Sequence, residues 1–345
     1  MGSAERVLAA VAPSDPTRTL KALERLRPMF LAHATGGAVY LDDPELLAAY
    51  RAFFFPQTFA KVRSVLEEIA WTGASVLDLG AAMGGAAFAA WSASPASRLE
   101  LVDFSDAALL DGMRLGSVVG ASVRTKKQRL DALTFSARYD LVIAANALSE
   151  LPSIEARIEA CRAVVAGALT PGGRFLLIEP ADRVHARALQ ELRDRLLGVG
   201  LRPVAPCPHD GPCPASVRPR DFCHQAREVA MPEWFTALQD GVGISDRRMR
   251  FSYLVYGGEP RATDALVRVI SNPIKDKGRL RFFGCARSGL TELLRQDKHA
   301  SDANAAFDTL GRGALIRMAA PERVTKVGAE TRIEIVRQLD TEEND

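Results

Sequence analysis

The run VLDLGAAMGG at residues 76–85 constrains the fold more than any other stretch of the chain. It has the pattern of a short buried strand that contains Asp78, then a glycine-rich turn, then the first residues of a helix. Glycines at positions 80 and 84 allow a tight turn, and free amides at a helix start favour an electronegative group. The run therefore predicts a ligand site at the end of a strand.

Strand-like and helical runs alternate after residue 75. In chain order they are SVLDLG, AAFAAWSA, RLELVDF, a helix through Leu115, QRLDAL, YDLVIAANAL, IEARIEACRAVVAGAL and RFLLIEP. This alternation predicts an α/β fold, in which helices cover both faces of a parallel sheet and ligands bind at the carboxyl ends of the strands. The later runs LRPVAP and FSYLVYG predict an antiparallel pair.

We divide the chain into three parts. Residues 1–70 form an N-terminal helical region, in which Asp43 caps a helix that begins at Pro44 and Pro56 starts another helix. Residues 71–257 form a Rossmann-like domain with a cysteine-rich, metal-binding insertion at 205–228. Residues 258–345 form a small β-rich region that contributes Cys285, because the runs RLRFFGCA, ALIRMAA and TRIEIVRQL have strand character.

Acidic residues mark further predicted strands. Asp103 follows the second strand at the spacing at which a doubly wound fold binds ribose hydroxyls. Asp131 lies in the third predicted strand, QRLDAL, and the fourth leads into Asn146. The segment AANALSELP lacks the Asn-Pro-Pro-aromatic pattern of base-modifying enzymes, and Cys161 falls inside a helix as a small buried hydrophobe. We therefore assign no catalytic base.

Composition limits the location and the partners. The 345 residues are 48% hydrophobic, contain no apolar run of membrane-spanning length, and begin without a secretory pattern. We expect the bacterial cytoplasm or an organelle matrix and no membrane. The net charge is +2, but residues 244–300 hold twelve Lys or Arg and six Asp or Glu. This stretch predicts either a polyanionic partner or a solvated basic face.

The cysteines are clustered. Cys207, Cys213 and Cys223 lie close together in a Pro- and Gly-rich loop, and Cys285 lies farther along the chain. Because the count of five is odd and no export signal is seen, a disulfide framework is disfavoured. Four thiolates suit an iron-sulfur cluster, whereas zinc accepts the same four or a histidine such as His209 or His224. The spacing fits neither paired CxxC nor CxxxCxxC, and unligated buried thiols stay an alternative.

The strand-turn-helix run and the strand-end acids resemble class I S-adenosylmethionine-dependent methyltransferases over roughly residues 70–257. A nicotinamide-binding fold is less favoured, because the turn lacks three glycines and an antiparallel hairpin is predicted at the end of the sheet. The resemblance implies that Asp103 binds the ribose. The further cofactor-binding residues that it implies are Asp78, Gly80, Ala82 and Gly84 around the methionine moiety, Asp131 and Ala132 near the adenine, and Asn146.

The runs CPHDGPCP and DFCHQ, preceded by AYRAFFFPQTFAKVRSVL and VLDLGAAMGG, resemble the methyltransferase-like small-ribosomal-subunit assembly factors of bacteria and mitochondria. The resemblance extends from Tyr50 to Leu290. It implies a 4Fe-4S cluster, with zinc as the alternative, on the ligands Cys207, Cys213, Cys223 and Cys285. His209 and His224 are then loop residues near the metal.

The same resemblance implies the function. The chain is expected to bind small-subunit ribosomal RNA or the assembling small subunit, as a monomer when free, in the bacterial cytoplasm or in the mitochondrial matrix of a eukaryote. Two alternatives stay open. One is an active S-adenosylmethionine-dependent rRNA methyltransferase with a structural metal site, and the other is an iron-sulfur or redox sensor that controls docking to a partner.

Overall fold

The computed structural model describes residues 1–31, 39–257, 265–319 and 322–338. Parts of the predicted basic stretch and of the last two β-like runs lie outside these residues. The chain forms two compact units, residues 1–179 with 228–249 and residues 180–227 with 250–345. No helix within the described ranges combines the length and the apolar composition needed to cross a membrane. The division of the chain into three parts stays a prediction.

A parallel sheet forms the centre of the first unit. Its strands follow the order β3-β2-β1-β4-β5, and every neighbouring pair is parallel. The strands are β1 (Ser75–Leu79), β2 (Arg98–Asp103), β3 (Ser122–Lys127), β4 (Tyr139–Ala145) and β5 (Leu169–Pro180). The connecting helices are α4 (Gly85–Ala93), α5 (Asp106–Val119) and α6 (Ile154–Gly167). This arrangement confirms the predicted α/β class with a Rossmann-like sheet of the class I methyltransferase type.

The third strand differs from its prediction. QRLDAL is a loop with a short 3-10 turn (Leu130–Ala132), and β3 is the preceding run SVRTKK. β3 ends the order of strands in the first unit and pairs there with β2 alone, so it does not need the apolar residues of a central strand. The apolar residues of QRLDAL indicated the wrong segment.

The N-terminal helices are α1 (Ser3–Ala10), α2 (Pro16–Leu31), a 3-10 turn (Val39–Asp42) and α3 (Pro44–Glu68), and α8 spans Glu233–Gly241. α2 and α3 pack on each other and on α8, whereas α1 packs on α4 and α5. The predicted start of α3 is confirmed, because the Asp43 carboxylate accepts hydrogen bonds from the Glu45 and Leu46 amides at 2.8 and 3.2 Å. A shared apolar cluster that includes Leu23, Phe53 and Phe235 stabilises this group.

Pro56 does not begin a new helix, contrary to expectation, since α3 continues through it. A proline inside a helix removes one backbone hydrogen bond and strains the preceding turn. The donor that Pro56 lacks would have bonded the Ala52 carbonyl, and the Gln57 side-chain amide donates to the neighbouring Phe53 carbonyl at 2.9 Å. Phe53, Phe55 and Phe59 are each at most 2% exposed. Their burial offsets the cost of the proline.

The second unit begins with α7 (Arg183–Gly198) and three short strands. These are β6 (Pro203–Ala205), β7 (Gln225–Arg227) and β8 (Met249–Tyr256). β6 pairs antiparallel with β8, which confirms the predicted pair. A second sheet follows, in the order β14-β12-β11-β9-β13-β15 with β10 beside β11. Its strands are Leu266–Val269, Ile274–Asp276, Arg279–Ala286, Gly289–Gln296, Leu315–Arg317, Val324–Lys326 and Glu334–Arg337, numbered β9 to β15.

Each of the three β-like runs predicted near the C-terminus contributes one strand to this second sheet, namely β11, β13 and β15. Its core contains Val267, Leu293 and Ile316, all fully buried. The rings of Phe282 and Phe307 meet edge to face with centroids 5.0 Å apart. The sheet therefore has an apolar core of its own.

We expect Gly112→Ala to destabilise the first unit. A β-carbon at Gly112 of α5 would lie 2.6 Å from Leu101 Cδ1 and 2.9 Å from the Met83 carbonyl oxygen. The resulting overpacking costs about 1–3 kcal/mol, more than the gain in helix propensity of about 1 kcal/mol. Gly198→Ala in α7 is the control, because a β-carbon added there would have no atom within 4 Å. Urea denaturation followed by circular dichroism measures both, and a Gly112→Ala protein as stable as the wild type contradicts the packing argument.

Candidate functional site

The turn after β1 contains three residues in the left-handed region of the backbone, Gly80, Ala82 and Gly84, with φ of +66°, +47° and +92°. A β-carbon on Gly80 would lie 2.6 Å from the Ala147 β-carbon. On Gly84 it would lie 2.9 Å from both Leu101 methyl groups. The packing of the unit therefore requires both glycines, whatever ligand the turn binds.

Asp103, at the end of β2, is hydrogen-bonded to this turn. One carboxylate oxygen accepts from the Ala82 amide at 2.7 Å, and the other accepts from the Ser105 amide at 2.9 Å. Burial raises the pKa of Asp103. The Ala82 methyl group packs with Leu41 and Ala108 in a small apolar cluster. The Ala82 side chain thus has a packing role in the turn.

A pocket of about 250 Å³ lies at the carboxyl end of β1. Asp78 and Gly80 line it together with Gly85 and Ala86 of α4 and Tyr50 of α3. Asp78 is 1% exposed and accepts a hydrogen bond from an α4 amide at 2.9 Å. Burial raises its pKa to about 7. The pocket therefore combines a carboxyl group with the N-terminal residues of a helix, where an anionic group is favoured.

The other predicted cofactor residues lie outside the lining of this pocket. Asp131 and Ala132 are exposed on the 3-10 turn, and Asp131 forms an ion pair with Arg129 at 3.0 Å. Asn146 follows β4 with φ of +58°, a conformation that asparagine tolerates, and its amide donates to the Ile178 carbonyl at 2.7 Å. Of the predicted cofactor residues, the structure thus brings Asp78, Gly80, Ala82 and Asp103 together at the turn after β1, and places Asp131, Ala132 and Asn146 on other loops.

Glu179 is a strand-end acid that the sequence analysis missed. It lies at the end of β5, is 5% exposed, and accepts from the Ser149 amide at 3.2 Å. Its second carboxylate oxygen is buried with no hydrogen-bond partner among the described residues. Burial raises its pKa to about 7. Like Asp103, Glu179 is an acidic residue at the end of a predicted strand, RFLLIEP. The sequence pattern could therefore have identified it.

Four of the five cysteines line one cavity of the second unit. The cavity has about 660 Å³ of empty space, part of it open to solvent. Cys207 and Cys213 come from the loop after β6, Cys223 precedes β7, and Cys285 lies on β11. Cys161 is fully buried in α6 of the first unit. The fold therefore gathers the cysteines that the sequence analysis grouped as ligands.

Three of these thiols do not ionise readily in the cavity. Burial, and then the nearby cysteines, raise the pKa of Cys223 to about 12. Burial, then the other cysteines, also raises the pKa of Cys213 and of Cys285. Without a cation these three thiols stay protonated at neutral pH, and a bound metal would favour the thiolates.

Two adjacent residues of α7 contact the cysteine loop. The Arg193 guanidinium donates from Nε to Cys207 Sγ at 3.1 Å and from Nη2 to the His209 carbonyl at 3.0 Å. The Asp194 carboxylate accepts from Arg193 at 2.6 Å and from the Cys213 amide at 3.0 Å. These contacts hold the loop at both of its first two cysteines.

Further contacts connect the loop to the second sheet. His209 Nε2 lies 3.4 Å from Cys285 Sγ, and burial lowers the pKa of His209 to about 4, so its ring is neutral. Arg268 of β9 donates to the Pro206 carbonyl at 3.0 Å. Arg287 forms an ion pair with Asp210 at 2.9 Å. Within the described residues, no group of three or more His, Cys, Asp or Glu side chains is placed to hold a single metal ion.

Most of the arginines in the basic stretch already have acidic partners. In the first unit, Arg247 pairs with Asp240 and Arg248 with Asp246. In the second unit, Asp276 contacts Arg279 at 3.2 Å and Arg281 at 2.8 Å, and Arg281 also contacts Glu292 at 2.8 Å. Lys275 and Lys277 are exposed, and among the described residues neither forms an ion pair. The hairpin formed by β10 and β11 therefore presents these two lysines to solvent.

Several solved methyltransferase structures are similar to the chain. One is the N-methyltransferase NodS from Bradyrhizobium japonicum WM9 with S-adenosyl-L-homocysteine, at 14% identity, 70% coverage of this chain, 98% of that chain and a TM-score of 0.41. Another is the plantazolicin methyltransferase BpumL with S-adenosyl-L-homocysteine, at 11% identity, 71% and 99% coverage and a TM-score of 0.40. No curated protein matches the chain significantly.

The sequence profile of the mitochondrial small ribosomal subunit protein Rsm22 matches residues 44–306, more than half of the 345 residues. The matched range contains the turn after β1, the strand-end acids and all four cysteines of the cavity. The chain therefore belongs to the Rsm22 family.

Proposed function

We propose that the chain is a small-ribosomal-subunit assembly factor that binds rRNA, S-adenosylmethionine in its first unit and a 4Fe-4S cluster in its second. The cavity lined by four cysteines, in a member of the Rsm22 family, is the observation that supports this most. We place the protein in the bacterial cytoplasm, or in the mitochondrial matrix if the source is eukaryotic. Free of RNA, it is a monomer in this proposal.

The first unit fits the methionine end of S-adenosylmethionine. The N-terminus of α4 would bind the carboxylate, and Asp78 would accept from the amino group. Asp103 would accept from the ribose hydroxyls while it keeps its bonds to the turn, since each carboxylate oxygen accepts two hydrogen bonds. Neither Asp103 nor Asp131 lines the pocket, so ribose and adenine would extend beyond it, toward Asp131 and Ala132.

The donor set of the second unit fits an iron-sulfur cluster, because four cysteines line one cavity and each thiolate of a 4Fe-4S cluster binds a different iron. Zinc, which binds its ligands around one point, is the alternative. When bound, the cluster would supply a link between the loop and β11 and one-electron redox chemistry. Cys207, Cys213, Cys223 and Cys285 would hold it.

An active rRNA methyltransferase is the second candidate, and Glu179 favours it. A buried carboxyl group with a pKa of about 7, one oxygen of which has no hydrogen-bond partner among the described residues, suits a general base that removes a proton from the methylated atom. Its place at the end of β5 agrees with the ligand edge of a parallel sheet. The redox-sensor alternative depends on the same cluster.

Asp103→Ala should weaken the binding of S-adenosylmethionine by about 10-fold or more, since a hydrogen bond to a charged group contributes about 1.5–3 kcal/mol. Isothermal titration calorimetry measures the affinity. Asp106→Asn is the control, because it removes a nearby carboxylate that pairs with Lys127 outside the site. Because Asp103 also bonds the turn, the melting temperature of each variant is measured first. A folded Asp103→Ala protein with wild-type affinity contradicts the ribose assignment.

Binding and catalysis are separated with the same protein. If the wild type binds S-adenosylmethionine but transfers no methyl group to small-subunit rRNA, the assembly-factor proposal is favoured. Transfer that is lost in Glu179→Gln favours the enzyme instead.

Protein purified without oxygen should be brown, with about four irons and acid-labile sulfide per chain, as expected for a 4Fe-4S cluster. Cys213→Ser should remove the iron and the visible absorption, because it removes one of four ligands. Cys161→Ser is the matched control, since Cys161 lies in α6 of the first unit and does not line the cavity. Metal analysis and absorption spectra measure both. Colourless protein with about one zinc per chain rejects the cluster, and full iron content in Cys285→Ser removes the fourth ligand.

The affinity for small-subunit rRNA should fall steeply as salt rises, because phosphate contacts release counterions. Replacing both Lys275 and Lys277 by alanine should lower the slope of log affinity against log salt by about two units at most, since each contact contributes about 0.7–0.9. Replacing both by arginine keeps the charge and should leave the slope unchanged. Fluorescence anisotropy between 50 and 200 mM salt, a span of about fourfold, measures the three proteins. Equal slopes for the alanine variant and the wild type mean that this hairpin does not contact RNA.

A further inference from the structure

Arg193 is the most deeply buried charged side chain beside the cysteines, since it is 1% exposed. It lies in α7, a regular helix, and not in the loop that carries Cys207 and Cys213. Burying a guanidinium group costs free energy unless its donors find partners. The contacts of Arg193 therefore indicate the function of its guanidinium group.

All three nitrogens of the Arg193 guanidinium have partners. Nε donates to Cys207 Sγ at 3.1 Å, Nη2 to the His209 carbonyl at 3.0 Å, and Nη1 to Asp194 at 2.6 Å. A planar guanidinium can donate to a sulfur, a carbonyl and a carboxylate at once, because its N–H donors have fixed directions. The ammonium group of lysine is a point charge without this planar set of donors. The arrangement holds the Nε–H bond aimed at the sulfur.

Arg187 shows what anchoring of the same loop looks like without a sulfur contact. It lies six residues earlier on α7 and donates to the carbonyls of Ser216, Arg218 and Asp221, at 3.4, 2.8 and 2.9 Å. All its described hydrogen bonds go to backbone carbonyls of the loop. Anchoring of the loop therefore does not by itself require a guanidinium beside a cysteine, so the Arg193 contact with Cys207 needs another reason.

The negative charge of the cluster proposed above gives a reason for the contact between Arg193 and Cys207. Four thiolates with a 2+ cluster core carry a net charge of about −2, which becomes −3 after one-electron reduction and −1 after one-electron oxidation. A buried cation and an N–H···S hydrogen bond stabilise the more negative state. Both effects make the cluster easier to reduce and harder to oxidise.

We propose that Arg193 sets the reduction potential of the cluster and protects it from oxidative loss, through its hydrogen bond to the Cys207 sulfur. Asp194 acts as a positioning residue, because it orients the guanidinium and accepts from the Cys213 amide at 3.0 Å. This inference rests on the proposed cluster. It assigns to α7 a role in how long the protein keeps its metal in the presence of oxygen.

The test compares wild type, Arg193→Gln, Arg193→Lys and the control Arg187→Gln, each purified as the full chain without oxygen. The midpoint potential of the 2+/1+ couple is measured by titration with dithionite, which supplies the electron, and is followed by electron paramagnetic resonance. The half-life of the visible absorption in air is measured on the same samples. Iron and sulfide per chain are determined first, so that potentials are compared at equal cluster content.

Arg193→Gln should shift the potential to a more negative value and shorten the half-life in air several-fold. Arg193→Lys keeps the charge but loses the planar set of N–H donors. Its potential and half-life should lie between those of Arg193→Gln and of the wild type. Arg187→Gln should keep the wild-type potential, because the lost bonds go to carbonyls. If Arg193→Gln does not fold or binds no iron, Arg193→Lys decides: a shifted potential supports the inference, and an unchanged one overturns it.

Two negative results have different meanings. If the wild type holds the cluster and both Arg193 variants keep its potential and half-life, the role of Arg193 is overturned and the cluster stands. If the wild type itself contains no iron or sulfide, the cluster of the proposed function is overturned, and this inference falls with it.

Discussion

Four thiols share a cavity of the second unit, and burial opposes the ionisation of at least three of them. This constraint accounts for many of the contacts around the cysteine loop. The loop between β6 and β7 has little regular structure, so side chains from outside hold it, among them Arg187 and Arg193 of α7 and Arg268 of β9. Each of them donates to the loop backbone or to a cysteine sulfur. The loop is thus held in place by donors, and a cation in the cavity would complete the arrangement by converting the thiols to thiolates.

The first unit meets a different constraint, which is set by the ends of its parallel strands. Asp78, Asp103 and Glu179 end or nearly end three strands, and burial raises the pKa of each. Backbone amides supply the hydrogen bonds that make their burial tolerable. A polar, partly protonated edge of this kind suits a ligand with both donors and acceptors.

The sequence predicted the features that depend on local pattern. The β1 turn and Asp103 at a strand end follow from spacing and residue type, whereas the grouping of Cys207 with the distant Cys285 followed from the family resemblance. The third strand was misplaced because β3 is polar. The burial of Arg193 could not be foreseen, since nothing in the helical sequence ARALQELRDRLLGVG marks one of its arginines as buried. Burial of a charge is decided by distant parts of the chain, which a local pattern does not contain.

The turn after β1 needs glycine at position 80 for steric reasons, and this affects how glycine-rich turns are compared between proteins. The glycine is needed because the Ala147 side chain occupies the space beside it, and Gly84 is needed because of Leu101. A chain with this fold that used no cofactor would therefore still be under selection to keep both glycines. Asp103 and Asp78 accept hydrogen bonds from the turn and from α4, so the presence of these glycines and acids in another chain indicates the fold before it indicates a ligand.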